Sequence, residues 1–270
     1  MLSVRLMLAV VVTFVPMMLE GSYGLPMKGD EAETFLRDAR FVSMKPIGVG
    51  ITKPMKVTLS DGERTHHAVW KSINEIRHGV AKGRNGGFQI AFRDSYKYEI
   101  AAYELDKMLG FDLVPPTVER EINGTRGSLQ LWVEGAFTEL DRRERNLEPD
   151  DYVSWSNQQY KLRLLQQLTY NDDAQNIRNV LYDLSFRVYC IDNSRSFRHF
   201  HSLADESGLR RFSRSAVESL KALDAPTLKA KLGAWLYNVE IKAVLARRDL
   251  LVALATTLAA DMGEDAIYYP

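Results

Sequence analysis

The chain has one cysteine, Cys190. No internal disulfide is available to it, and no Cys/His spacing offers a zinc site. The five histidines, His66, His67, His78, His199 and His201, are not interleaved with carboxylates as metal ligands would be, and read as solvated positions. Neither sign of charge is in excess, because 35 Lys and Arg balance 35 Asp and Glu. No global field draws a polyanion, and no basic stripe with interleaved aromatics is present, so nucleic acid is not expected as a partner. Repeats and low-complexity tracts are absent. Beyond the first residues, no apolar run approaches the roughly 20 residues that cross a bilayer.

The 270 residues are 46% hydrophobic and 26% charged, enough for one large domain or two lobes around a cleft. At the start, Arg5 precedes an apolar run over 6–19, broken by Pro16, and Ser22-Tyr23-Gly24 places small residues where a signal peptidase reads. Residues 1–24 therefore read as a secretory signal, for a secreted, periplasmic or secretory-lumen protein. Left uncleaved, the segment becomes an anchor, the one route by which a membrane enters as a partner. Residues 25–40 read as a polar lead-in.

From 41 the pattern is strand-rich. Residues 42–50 and 55–59 read as two strands, with the turn signal Asp61-Gly62 after them, and 67–71 as a third. Residues 73–87 read as a polar, mobile loop. A helix begins at Asp94 or Ser95 as cap and ends at Gly110. Asn123-Gly124 is a hairpin turn into a strand over 128–134. After Gly135 the periodicity becomes helical, at 152–168, 217–223 and 232–260. Within that half, two short apolar runs at 180–182 and 186–191 flank Asp183-Leu184-Ser185 as a tight hairpin. Such a hairpin brings Asn179 at its entry close to Asp192 at its exit. Two oxygen ligands on one rigid element can grip a Mg²⁺ bound to phosphates. The stretch reads equally as a polar turn ahead of an ordinary hairpin, with Cys190 a buried thiol beside it.

Four runs carry a likeness: YEIAAYELDKMLG at 98–110, VPPTV at 114–118, GSLQLWVEG at 127–135 and IDNSRSF at 191–197. Together they resemble the atypical kinases, a group of phosphoinositide kinases, HipA-type bacterial kinases and secretory-pathway kinases. The nearest likeness is to compact bacterial phosphoinositide-kinase-like proteins. The resemblance implies an α+β, bilobal protein-kinase-like fold, with a β-rich small lobe over 41–134 and a small α-rich large lobe over 135–270. It implies ATP and Mg²⁺ as cofactors and a hydroxyl group as acceptor.

Residue by residue, the resemblance puts Lys71 on the nucleotide phosphates, although a lysine ending a strand is also ordinary. Glu99 would hold Lys71 in place, with Glu104 as the fallback, while a glutamate in a first helical turn also suits the dipole. Gly48 and Gly50, in IGVGITKP, would let backbone approach the phosphates, or simply form a turn; Lys53 stands where a third glycine belongs. Gln130, Trp132 and Val133 fall in the hinge whose backbone meets the nucleotide base, and Trp132 suits core packing equally. Asp192 with Asn179 would hold the metal. The catalytic base departs from the pattern: Ala174 occupies the expected aspartate position, five residues before Asn179. Asp173 is the nearest candidate, with Asp172 before it. Two readings follow: a phosphotransferase with Asp173 as base, or a nucleotide-binding pseudokinase or secreted binding protein without catalysis.

Overall fold

The computed structural model describes residues 23–48, 53–77, 79–82, 88–90 and 92–270. The small lobe opens with α1 (Gly29–Asp38), in the stretch read from sequence as a lead-in. Ala32, Phe35 and Leu36 recur at helical spacing and are buried, while Asp30 and Glu31 in the first turn and Arg37 in the last suit the helix dipole. Strands β1 (Arg40–Pro46), β2 (Met55–Ser60) and β3 (Thr65–Lys71) follow. Inside the stretch expected to be a mobile loop lie β4 (Asn74–Ile76) and β5 (Val80–Lys82), which pair with β6 (Phe88–Ile90) and β7 (Arg93–Ser95) beyond it, β4 on β7 and β5 on β6. Next come α2 (Tyr96–Leu109), β8 (Thr117–Ile122) and β9 (Thr125–Leu131).

The main sheet is antiparallel, in the order β1-β2-β3-β9-β8. Its strands alternate as a half-buried sheet should. One face, with Val57, Leu59, Ala68, Trp70, Leu129 and Leu131, packs on Phe35 and Leu36 of α1 as a self-contained small core. The paired residues Lys56, Val69 and Gln130 lie on the opposite face, together with Lys71.

The large lobe contains β10 (Phe137–Thr138), α3 (Glu139–Glu144), α4 (Tyr152–Thr169), a 3₁₀ turn (Ile177–Asn179), β11 (Val180–Tyr182) and β12 (Val188–Cys190). It closes with β13 (Phe212–Ser213), α5 (Arg214–Ala222), α6 (Ala225–Leu232), α7 (Asn238–Met262), α8 (Glu264–Ile267) and β14 (Tyr268–Tyr269). The hairpin expected around 180–191 is present, with Val180 paired to Cys190 and Tyr182 to Val188. Cys190 is buried, as expected.

Helix α2 departs from the sequence division. Ser95 caps it through the amide of Lys97 (3.2 Å), and Gly110, at φ 66°, ends it. Yet Tyr98, Ala101, Ala102, Leu105 and Leu109 belong to the large core, with Leu165, Leu220, Leu228 and Leu251. The helix is apolar on more than one side, and such a helix is buried on more than one side. Its polar edge reaches the small lobe, where Tyr103 Oη and Lys107 Nζ donate to Glu33 of α1 at 3.0 and 2.6 Å. A second tie crosses the lobe boundary at Glu134, whose backbone N–H and C=O pair with Gly24 at 2.9 and 2.8 Å. Among the described residues, no helix is long and apolar enough to cross a membrane.

Candidate active site

Three elements converge at the cleft. Strand β3 ends on Lys71, the first turn of α2 presents Glu99, and the chain leaving β12 presents Asp192. Lys71 Nζ lies 2.6 Å from Glu99 Oε1 and 2.7 Å from Asp192 Oδ1. Glu99 is fully buried, and its other oxygen accepts the amide of Asn193 at 2.9 Å, so Glu99 grips both the lysine and the Asp192 loop. The amide of Ser95 donates to Ser194 O at 2.9 Å, fastening the start of α2 to the same loop. Asp192 has φ 58°, a left-handed conformation that costs a non-glycine residue energy and clusters at functional sites. Glu104 pairs with Lys107 instead.

One ammonium between two carboxylates sets the electrostatics. Burial alone would lower the pKa of Lys71, but Asp192 and Glu99 outweigh it and push the value up. Lys71 in turn holds the Asp192 carboxyl below the usual range, against burial. Burial raises Glu99 despite Lys71. The site therefore keeps Lys71 and Asp192 charged and stores its desolvation cost at Glu99.

The hairpin extends to Asn179, whose carbonyl accepts the amide of Ile191 at 3.0 Å, so Asn179 stands across from the residue before Asp192. The Asn179 amide donates to Asp173 Oδ2 at 3.0 Å, leaving its own side-chain oxygen toward other partners. Asn176 donates to that same Asp173 oxygen at 3.1 Å, and the Asp173 backbone amide donates to Asn171 Oδ1 at 2.9 Å. Asp173 is thus fixed in the loop beside Asn179 although Ala174 holds the expected position. Asp172 is occupied by Arg198 at 3.0 Å.

The remaining expected positions divide. Gly48 has φ 84° with open space where a Cβ would stand, while Gly50 lies outside the described residues. Gln130 is buried and donates to Thr117 Oγ1 at 2.9 Å, so its side chain braces the sheet. Trp132 takes Lys56 Nζ over its ring at 3.9 Å. Val133 has neither backbone polar group bonded among the described residues.

Sequence reasoning missed several neighbours. Asn176 was visible in NDDAQN only as one more amide. Asp94, weighed only as a helix cap, is fully buried, and Arg195 Nε lies 3.7 Å from it. Arg93 pairs with the fully buried Glu240 of α7 and donates to Tyr98 Oη at 2.9 Å, a contact across 147 positions that no local pattern announces.

No protein-family model matches the chain, and no curated protein matches it in sequence. Solved structures do. The hydra Fam20 structure with sugar superposes with TM-score 0.65 at 16% identity, covering 87% of this chain and 90% of that one. The golgi casein kinase gives TM-score 0.64 at 13% identity, covering 88% of this chain and 77% of its own. The chain shares its fold with these two structures. The kinase-like α+β architecture expected from sequence is therefore present.

The residues at the cleft would suit a metal-bound nucleotide. No three His, Cys, Asp or Glu converge as a metal cage among the described residues. Mg²⁺ in such sites is held by one or two protein oxygens together with phosphates and water, so a full cage is not needed. Asp192 uses Oδ1 for Lys71, and Oδ2 has no hydrogen bond among the described residues. Asp192 Oδ2 and Asn179 Oδ1 are the two oxygens that would face the ion.

Proposed function

We propose that the protein is a kinase-like phosphotransferase that moves the γ-phosphoryl of ATP to a hydroxyl acceptor with Mg²⁺. The reading rests on one observation: Lys71, Glu99 and Asp192, 28 and 121 positions apart from the lysine, meet within 2.7 Å in the cleft between two separate cores. Burying a shared ammonium between two carboxylates is expensive for folding alone, and functional sites are where such arrangements concentrate. Bound ATP supplies the phosphoryl group, and Mg²⁺ offsets its charge.

Within that reading each side chain has one task. Lys71 neutralises phosphate oxygens as a point charge, and Glu99 keeps it from collapsing fully onto Asp192. Asp192 and Asn179 would hold the ion. Asp173 accepts the acceptor's proton and is oriented by Asn176 and Asn179. The hydra structure was solved with sugar, so a sugar hydroxyl is the first acceptor class to test. The likeness to a golgi kinase, with the signal-like start, supports a lumenal or secreted setting as part of the proposal.

One observation favours a second reading, a nucleotide-binding pseudokinase. Asp173 spends one oxygen on two amides, including that of the metal-site candidate Asn179. ATP turnover with and without Mg²⁺, in the native chain and in Lys71→Ala, Asp192→Ala and Asp173→Ala, separates the readings. The enzyme reading expects turnover abolished by the first two and lowered by about 100-fold or more in the third. Mg²⁺-dependent thermal stabilisation by ATP with no turnover would establish the pseudokinase, and no stabilisation at all would remove both.

A further inference from the structure

A nucleotide base needs an apolar ceiling, since ligand sites are lined mainly by hydrophobic groups with a few placed polar ones. The cleft face of the small-lobe sheet is not built that way. Its middle row, read across β1, β2, β3 and β9, is Lys45, Lys56, Val69 and Gln130. These pairings put all four side chains on the face that carries Lys71, because residues directly opposite share a face and residues two apart do so too. Met44, Val57, Ala68 and Leu131, their neighbours, serve the other face and the small core. Val69 is the one apolar residue of the row.

Lys45 and Lys56 stand directly across from each other. Like charges at that spacing, Cβ atoms about 5 Å apart, destabilise a sheet. Neither lysine has a carboxylate partner among the described residues, although the chain supplies one acid for each base. Lys56 instead lies over the Trp132 ring, which holds its ammonium along the ceiling. The diagonal neighbour two residues along β3 from the partner of Lys56 is Lys71, with Cβ atoms about 8 Å apart by strand geometry. Three lysines thus share the ceiling face, and among the described residues only Lys71 is paired with carboxylates.

We infer that Lys45 and Lys56 form a second phosphate subsite, so that the cleft recognises its ligand through a polyphosphate chain running from Lys71 along the ceiling, with little discrimination between bases. This rests on the cleft being the nucleotide site proposed above, and it adds to that reading which part of the nucleotide is recognised.

The test uses the full chain, inorganic tripolyphosphate, adenosine, ATP and GTP at fixed ionic strength, with calorimetric Kd and thermal shift as readouts. The native protein is expected to bind tripolyphosphate, to ignore adenosine, and to bind ATP and GTP within about threefold of one another, since the charge and not the base supplies affinity. The double variant Lys45→Met/Lys56→Met is expected to weaken tripolyphosphate by about tenfold and to flatten the salt dependence of its Kd. Lys45→Arg/Lys56→Arg should restore both. Lys229→Met/Lys231→Met, the same charge change on exposed positions of α6, should leave both near native. The subsite is overturned if tripolyphosphate does not bind, if adenosine alone stabilises as ATP does, or if the α6 variant weakens tripolyphosphate as much as the ceiling variant. Failure of the kinase reading looks different, as tripolyphosphate binding sensitive to Lys45 and Lys56 with no ATP turnover.

Discussion

Lys71 faces two carboxylates with one charge, and this imbalance decides how its neighbours respond to substitution. Lys71→Met would leave Glu99, fully buried, and Asp192 facing each other without a cation. Stranding a buried charge costs about 3–5 kcal/mol, whereas replacing one of two carboxylates by an isostere leaves a matched pair and costs far less. Urea unfolding should therefore show Lys71→Met losing about 3 kcal/mol at pH 8 and Asp192→Asn under about 1. The penalty of Lys71→Met should shrink at pH 5. Glu99 already binds its proton more tightly in the folded state, so its contribution falls as pH rises. An equal penalty at both pH values would contradict the assignment. A second residue gives a cleaner pH signature. Asp106 of α2 is buried, and burial raises its carboxyl to about 7 despite amides donated by Leu113 and Val114 at 2.9 and 3.1 Å. The unfolded chain releases that proton near the ordinary carboxylate value, so folded Asp106 binds more proton between roughly pH 4 and 7, and stability falls as pH rises through that window. Asp106→Asn should flatten the dependence of Tm on pH from 5 to 8; an unchanged slope would place it elsewhere. Lys71, Glu99 and Asp192 were legible in sequence because each sits at a fixed offset from a strong local signal: a strand end, a helix cap, a hairpin exit. Asp94, Asp106 and Glu240 were not, because their significance is burial, and burial is set by residues far along the chain.

At the scale of elements, local chemistry marked most boundaries. Ser95 and Gly110 delimit α2, Asn123-Gly124 turns β8 into β9, and the hairpin of β11 and β12 falls where its apolar runs put it. Helix α1 escaped because its apolar positions, Ala32, Phe35 and Leu36, are few and sit among charges, so the stretch reads as polar until the sheet it covers is known. The larger gap concerns what α2 packs against. Its first turn is bolted to the large lobe by a buried cluster: Glu240 of α7 accepts from Arg93 and from Tyr98 Oη, the latter at 2.6 Å, and also from the amide of Tyr237 at 2.6 Å. Tyr98 adjoins Glu99, so this cluster also sets where the carboxylate that grips Lys71 stands. Glu240→Ala would strand Arg93, and the expected loss is about 3–5 kcal/mol of stability; Tyr98→Phe, which keeps the ion pair, should lose only about 1–2. Hydrogen exchange gives the discriminating readout. In Tyr98→Phe the amides at 98–101 should exchange faster while those of β2 and β3 keep native protection. If the sheet loosens equally, α2 is not held by this cluster.

At the scale of the molecule, two cores are joined through a few crossing points, and their positions decide how freely the lobes can move. Helix α2 is one. The short stretch before α1 is another, and it ties three parts together at once. Gly24 pairs with the backbone of Glu134 at the lobe boundary, Met27 is buried in the small core, and the position a Gly24 Cβ would take lies 2.9 Å from Asp183 Oδ2 at the turn of the β11–β12 hairpin. Tyr23 presses on Gly135, where an added Cβ would come within 2.6 Å of its ring. Gly24 has φ 89°, a conformation that an L side chain rarely adopts, so any substitution meets both backbone strain and a close carboxylate. Gly24→Val should therefore unseat this tie and cost about 1–3 kcal/mol, the scale of one strained residue. The two halves of the ion-pair site stay anchored through β3 and α2, and β12 meets the position of a Gly24 Cβ through the Tyr189 hydroxyl at 3.4 Å, three residues before Asp192. The variant should thus keep the ATP-induced thermal shift that the proposed function expects, while the Glu134 amide loses protection and residues 23–28 become cleavable under native conditions. If the thermal shift vanishes along with that protection, the lobes depend on this segment for their alignment, and the geometry around Lys71 is set from the hinge instead of from α2.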